Sequence, residues 1–274
     1  MSRKALKMTG MSIRKTEDLC FVKGRPRALI LFHGFSDEPE TLRPLAEYLF
    51  QHLDADVYVP LLSGHGNTLA DLEKVHFKEW ITQAEKLIKQ LKETYARIDV
   101  AGFSMGSFLA LNARLEIPSI QKAVIIAPPF VFPPGRSSAL FFLPVIRLLK
   151  KYKRKRLDEQ GGNRHIYEKK QRLIYLPRFK KEPLKSIEEF NHLRKKVKKR
   201  LKKIDFPVLA IFALDDRVAV IRNRILLSRF FKHNYYRSVT VVRSGHMIPV
   251  DYDRFILFDE IKQFLQDNEG RYHG

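Results

Sequence analysis

One cysteine, Cys20, stands in 274 residues, which excludes an intrachain disulfide framework and suits a reducing compartment. No run approaches the ~20 apolar residues that cross a bilayer, and residues 1–15 are basic without the apolar stretch of a secretory leader. These absences point to a cytoplasmic chain. No set of His, Cys and carboxylate side chains has metal-ligand spacing, so neither a metal nor an organic cofactor is expected. No internal repeat is visible, and the only biased tracts are runs of Lys and Arg. Acid is scarce in one place above all. Between Arg136 and Lys203 there are 24 Lys and Arg against 6 Asp and Glu, so that segment carries +18 of the chain's net +21.

Hydrophobic residues at 45% and charged residues at 30% describe a globular chain long enough to bury a substantial core. Ala28 to Phe32 reads as a fully buried strand, Thr41 to Leu53 as an amphipathic helix and Ala55 to Leu61 as a short strand. Leu72 to Tyr95 reads as one long helix, whose Trp80 is a core aromatic. The stretch from Arg97 to Ser107 opens with a further short buried strand and Lys122 to Ala127 is another, with a helix to about Leu115 between them. Such alternation is the signature of βαβ units around a parallel sheet. It stops from Phe130 to Ile204, where prolines punctuate basic helical pieces, and resumes with Pro207 to Phe212 and Ser238 to Val242. The interval is expected to be an inserted helical cap, residues 131–204, on a core formed by 1–130 and 205–274.

The stretch Gly102-Phe103-Ser104-Met105-Gly106 lies where a strand gives way to a helix, the context in which Gly-x-Ser-x-Gly carries chemistry. Glycines two residues either side of Ser104 allow a bend too sharp for a Cβ, leaving the hydroxyl exposed at the strand's end. The backbone N–H of Met105, at the helix N-terminus, would face negative charge developing on a bound carbonyl oxygen. Downstream, one strand runs into Ala213-Leu214-Asp215-Asp216-Arg217-Val218 and another into Arg243-Ser244-Gly245-His246. A hydroxyl, a carboxylate and an imidazole thus follow three separate strands. Ser63-Gly64-His65-Gly66 holds another histidine, but its flanking glycines point to backbone shaping.

The segments Leu31 to Ser36, with His33-Gly34-Phe35, Val100 to Ser107, Leu209 to Val218 and Ser244 to Asp251 resemble those of the α/β-hydrolase superfamily. The likeness is nearest to bacterial carboxylesterases and monoacylglycerol lipases of the His-Gly-Phe type. It implies a mostly parallel central sheet flanked by helices and a serine carboxylester hydrolase working through an acyl-enzyme. Ser104 would be the nucleophile and His246 the base, with Phe35 and Met105 as backbone oxyanion donors. Asp216, rather than Asp215, would be the acid. Ser107 stands where many relatives carry a second glycine. The apolar segment Ala139 to Leu149 is expected to kink at Pro144 and to line an acyl pocket through Phe141, Phe142, Val145 and Leu148.

Within the basic interval, Ser186-Ile187-Glu188-Glu189 reads as a capping box. It opens a helix whose apolar face is Ile187, Phe190, Leu193, Val197, Leu201 and Ile204. Its other face is cationic throughout, pointing to an anionic lipid surface or an acidic carrier reached through Arg194, Lys195, Lys198, Lys199 and Lys202. That would make the chain peripheral at a membrane. Exposed aromatics are not interleaved with these cations, so no nucleic acid is expected. Alternatives are an acyl thioesterase or acyltransferase using the same residues, or a non-catalytic binding module built on the basic cap.

Overall fold

The computed structural model describes residues 16–154, 179, 181–231 and 235–267. The basic N-terminus 1–15 and the stretch 155–178 of the expected insertion lie outside the described residues. In chain order come β1 (Leu19–Phe21), β2 (Arg27–Phe32), α1 (Arg43–His52) and β3 (Asp56–Val59). Next are α2 (Leu69–Lys74), α3 (Phe77–Lys92), β4 (Arg97–Phe103), α4 (Met105–Glu116) and β5 (Ile120–Ile126). The interval expected to be inserted holds α5 (Pro134–Phe141), α6 (Leu143–Leu149), a small hairpin of β6 (Tyr152–Arg154) and β7 (Lys181–Pro183), and α7 (Leu184–Lys198). Alternation returns with β8 (Val208–Ala213), α8 (Arg222–Ser228), β9 (Tyr236–Val241) and α9 (Arg254–Gln266).

The large sheet has the order β1-β3-β2-β4-β5-β8-β9, antiparallel only between β1 and β3. This is the mostly parallel, helix-flanked sheet expected for an α/β-hydrolase. Its central strands are apolar along their whole length because both faces are covered. Along β2 the period of two assigns Ala28, Ile30 and Phe32 to a core with Trp80, Phe108 and Leu193, under α3, α4 and α7. Leu29 and Leu31 face the opposite core, with Leu45, Leu49 and Phe258 of α1 and α9.

At the end of the sheet away from the strand C-termini, Asp99 pairs with Arg27 at 2.6 Å and Arg97 at 3.1 Å. Lys122 Nζ donates to the carbonyls of Phe264, at 2.6 Å, and Asp267. Cations placed on the last carbonyls of α9 satisfy its unpaired acceptors and oppose its dipole. Burial pulls the Lys122 ammonium down to a pKa of about 8.

Three expectations need correction here. The single helix from Leu72 to Tyr95 is two, because the backbone turns extended at Val75 and His76 and α3 restarts with its own box: His76 accepts from Lys78 N–H while Glu79 accepts from His76 N–H at 2.7 Å. The box at Ser186 is absent, since α7 already begins at Leu184 behind Pro183. Ser186 Oγ instead donates to Leu72 O at 3.0 Å and Glu189 accepts from Phe77 N–H at 3.1 Å, so both polar groups tie α7 to the core. Finally, the face of α7 opposite its apolar residues is only partly a free cationic surface. Arg194 turns inward and donates to Phe130 O at 2.6 Å and to Asn191 Oδ1, its pKa lowered by burial. Lys196 and Arg200 both pair with Glu116 of α4. Lys195, Lys199 and Lys202 are exposed, whereas Lys198 is half-buried.

Candidate active site

The turn between β4 and α4 has no room for side chains at its two glycines. A Cβ on Gly102 would fall on the carbonyl of Gly106, and one on Gly106 would fall on the carbonyl of Phe32. Between them Ser104 adopts φ +52°, ψ −112°, a conformation that costs an L-residue on the order of 1–3 kcal/mol and persists only where the surroundings enforce it. The enforcing bonds are visible. Ser104 N–H donates to Ile126 O at 2.8 Å, and Ser107 Oγ lies 2.8 Å from Gly102 O and 3.2 Å from Ile126 O. Ser107 thereby clasps the start of α4 to β4 and β5.

Ser104 Oγ stands 3.0 Å from His246 Nε2, and His246 Nδ1 stands 2.7 Å from Asp216 Oδ2. A carboxylate only accepts, so the shared proton belongs to Nδ1 and Nε2 is left as an acceptor for the serine hydroxyl. The other carboxylate oxygen of Asp216 accepts from the N–H groups of Val218 and Ala219, each at 2.7 Å. All three side chains are buried, so water competes little for these bonds. The neighbouring Asp215 is exposed. The Phe103 ring, 5.2 Å from the imidazole, covers the histidine.

Residues 33–36 continue β2, which pairs with β4 through Phe32 and Gly102; Gly106 abuts the carbonyls of both Phe32 and His33. The loop bearing Phe35 therefore lies against the serine turn, and the N–H of Met105 opens α4 with no intrahelical partner. Two buried histidines hold that loop. His33 Nε2 accepts from Leu62 N–H at 3.0 Å, which leaves Nδ1–H to donate to Gly34 O at 2.9 Å. His65 Nε2 accepts from Ser36 N–H at 3.1 Å, leaving its Nδ1–H for Ser63 O. Both rings must be neutral to do this, and they meet edge-on at 5.0 Å. Burial, reinforced by His65, holds His33 well below the ordinary imidazole range. Gly64 and Gly66, at φ +76° and +81°, shape the loop carrying His65 as their spacing suggests.

The Phe35 side chain joins a group of rings that sequence reasoning did not assemble. It packs 5.5 Å from Phe190 of α7 and 6.4 Å from Trp80, and Phe190 in turn meets Phe108 and Phe132. Helical spacing marks Phe190 as inward-facing, but nothing local says which residue it meets.

The residues expected to wall an acyl pocket are placed differently. Phe141, Phe142, Val145 and Leu148 are 78, 56, 59 and 84% exposed. The chain breaks at Phe142, with Pro144 in the first turn of α6, so the inward positions of the two helices become Leu140, Leu143 and Ile146. The named four face outward.

A strained serine at a strand-to-helix turn, a histidine and an aspartate in one file, and a parallel sheet supplying each from a strand's C-terminal end define a serine hydrolase of the α/β-hydrolase fold. The chain belongs to the family described as serine aminopeptidase, S33, whose model matches residues 24–248. It is 26% identical over 257 residues to the thermostable monoacylglycerol lipase of a Bacillus species, covering 91% of this chain and 94% of that one. It is 22% identical over 245 residues to a carboxylesterase of Bacillus subtilis, covering 89% and 94%. Among solved structures, one from a study of the metagenome-derived lipolytic enzymes LipS and LipT superimposes with a TM-score of 0.80 at 20% identity, covering 92% of this chain and 98% of that one. The protein is thus a lipase/esterase-like hydrolase.

Proposed function

We propose that the protein cleaves carboxylic esters of apolar acyl groups through a covalent acyl-enzyme. Ser104 Oγ attacks the carbonyl carbon as its proton passes to His246 Nε2, and the negative charge gathers on the carbonyl oxygen beside the N–H groups of Phe35 and Met105. Collapse breaks the ester C–O bond, and the departing alcohol takes the proton from His246. Water then repeats the sequence, releasing the acid and restoring Ser104. Asp216 fixes the imidazole tautomer and stabilises the cation formed when His246 is protonated. The observation that carries this reading is the unbroken file Ser104–His246–Asp216 at 3.0 and 2.7 Å.

The insertion, residues 131–204, acts as a cap over this site. Support comes from Phe190 of α7, which packs directly on Phe35, so the cap and the oxyanion loop share one aromatic group. That group, with Phe132 and the partly buried Leu140 and Val218 nearby in the same core, suits a fatty acyl chain, in keeping with the relative named a monoacylglycerol lipase. The cap's positive charge favours a neighbour of opposite sign.

The test is a panel of p-nitrophenyl esters of graded acyl length with fluorophosphonate labelling. Wild-type protein is expected to hydrolyse the esters and to take one label. Ser104→Ala should remove the label and lower kcat by about 10³-fold or more. Turnover that survives this substitution overturns the assignment.

A further inference from the structure

From Ala139 in the last turn of α5 through α6 the chain is apolar on two sides, and the fold uses only one of them. Leu143 is buried, Leu140 and Ile146 are half-buried, and Leu140 packs against the core. The opposite side presents Phe141, Phe142, Val145, Leu148 and Leu149, the last 85% exposed. Positions 145, 148 and 149 follow the spacing of a single face of α6, and the rings of Phe141 and Phe142, at the break between the two helices, meet edge-on at 5.1 Å. Helices apolar all round ordinarily lie inside a protein or in lipid, and an outer stripe of this kind contributes nothing to holding the domain together. Among the described residues no helix is long and apolar enough to cross a membrane.

The segment that carries this stripe has charge of one sign. From Val131 to Leu157 the sequence contains eight Lys and Arg and no Asp or Glu. Arg147 and Lys151 are drawn to Glu188 and Glu73, and Lys150 and Arg154 are exposed at the end of α6 and in β6. Exposed aromatic and aliphatic side chains ringed by cations match the boundary between acyl chains and phosphate headgroups. A second copy of this chain fits poorly, because a two-fold interface would bring two strongly positive insertions together.

We propose that α5 and α6 dock the protein on an anionic lipid bilayer, Phe141, Phe142, Val145, Leu148 and Leu149 entering the headgroup–acyl boundary with the neighbouring cations among the lipid phosphates. Docking deepens the ester-hydrolase reading, on which it rests for its purpose, by presenting the cap to a lipid source of acyl esters. The association itself needs no turnover.

The experiment is flotation of the full chain with vesicles of phosphatidylcholine alone or mixed with phosphatidylglycerol, alongside hydrolysis of a soluble short-chain p-nitrophenyl ester. At low salt the mixed vesicles are expected to bind at least about tenfold better than the neutral ones, and to lose most of that advantage near 0.5 M salt, where the Debye length falls to about 4 Å. L148S/L149S should lower binding to mixed vesicles about tenfold or more while leaving soluble-ester hydrolysis unchanged. Equal binding to both vesicle types overturns the proposal, as does undiminished binding by the variant. A light-scattering mass that doubles in wild type and reverts in the variant, with no flotation, would assign the surface to a second copy instead. Flotation that follows the expected pattern in a protein inactive on soluble ester would sink the hydrolase reading and leave docking standing.

Discussion

His65 and His33 show how much of the candidate site's geometry rests on side chains outside the file Ser104–His246–Asp216. Each ring accepts one backbone N–H and donates to one carbonyl around the loop bearing Phe35. Replacing His65 by Leu leaves the Ser36 N–H buried without its acceptor, a loss of about 1–3 kcal/mol. With part of that loss falling on the loop bearing Phe35, kcat should drop about ten- to a hundredfold with KM nearly constant. His65→Gln, which retains an acceptor and a donor, should recover most of it; equal kcat in all three proteins would show that the ring is merely packed. Acidity probes His33. Its folded pKa is depressed below the ordinary 6.5, so the native state holds fewer protons than the unfolded chain once pH drops below that value. The His33 contribution is therefore complete above about pH 6.5 and declines on acidification, with a limiting slope near 1.4 kcal/mol per pH unit for one proton. Thermal unfolding followed from pH 7.5 to pH 5 checks this, and a Tm that is flat or rises toward acid contradicts it.

At the scale of elements, the β4–α4 junction concentrates its support in a few hydrogen bonds. Ser107→Ala removes the hydroxyl that reaches Gly102 O and Ile126 O, and should cost about 0.5–1.5 kcal/mol in denaturant unfolding. It should also loosen the conformation of Ser104 enough to slow acylation more than binding. Unchanged stability and kcat would mean that backbone sterics alone enforce the turn. This level is also where sequence and structure part company. The strands were legible because full burial writes continuous apolar runs, and the serine turn because only glycine fits beside it. The break at His76 was not, since a histidine capping its own second neighbour has no distinctive spacing. Ser186-Ile187-Glu188-Glu189 has the composition of a helix start, yet its polar groups are spent on Leu72 and Phe77 across a tertiary contact. Arg194 reads as one of a row of surface cations until Phe130 O and Asn191 are seen to enclose it.

At the scale of the whole molecule, the order serine, acid, histidine could be read along the chain because each follows its own strand of one sheet. The partners of Phe35 could not, since Phe190 lies 155 residues further on and reaches it only through the packing of α7. The exposed stripe on α5–α6 misled for a related reason: an apolar composition says that a segment avoids water and leaves open which of its sides does so. One arrangement has a broader consequence. The chain departs from the sheet after β5 and returns in β8, and those two strands are direct neighbours, pairing from Ala123 with Val208 to Ile126 with Ile211. Exit and re-entry are thus stitched together like the two edges of a buttonhole. A replacement of another length or chemistry, sewn between them, would inherit fixed anchor points, so exchanging this one module while the strands bearing Ser104, Asp216 and His246 keep their places tests whether it sets substrate preference.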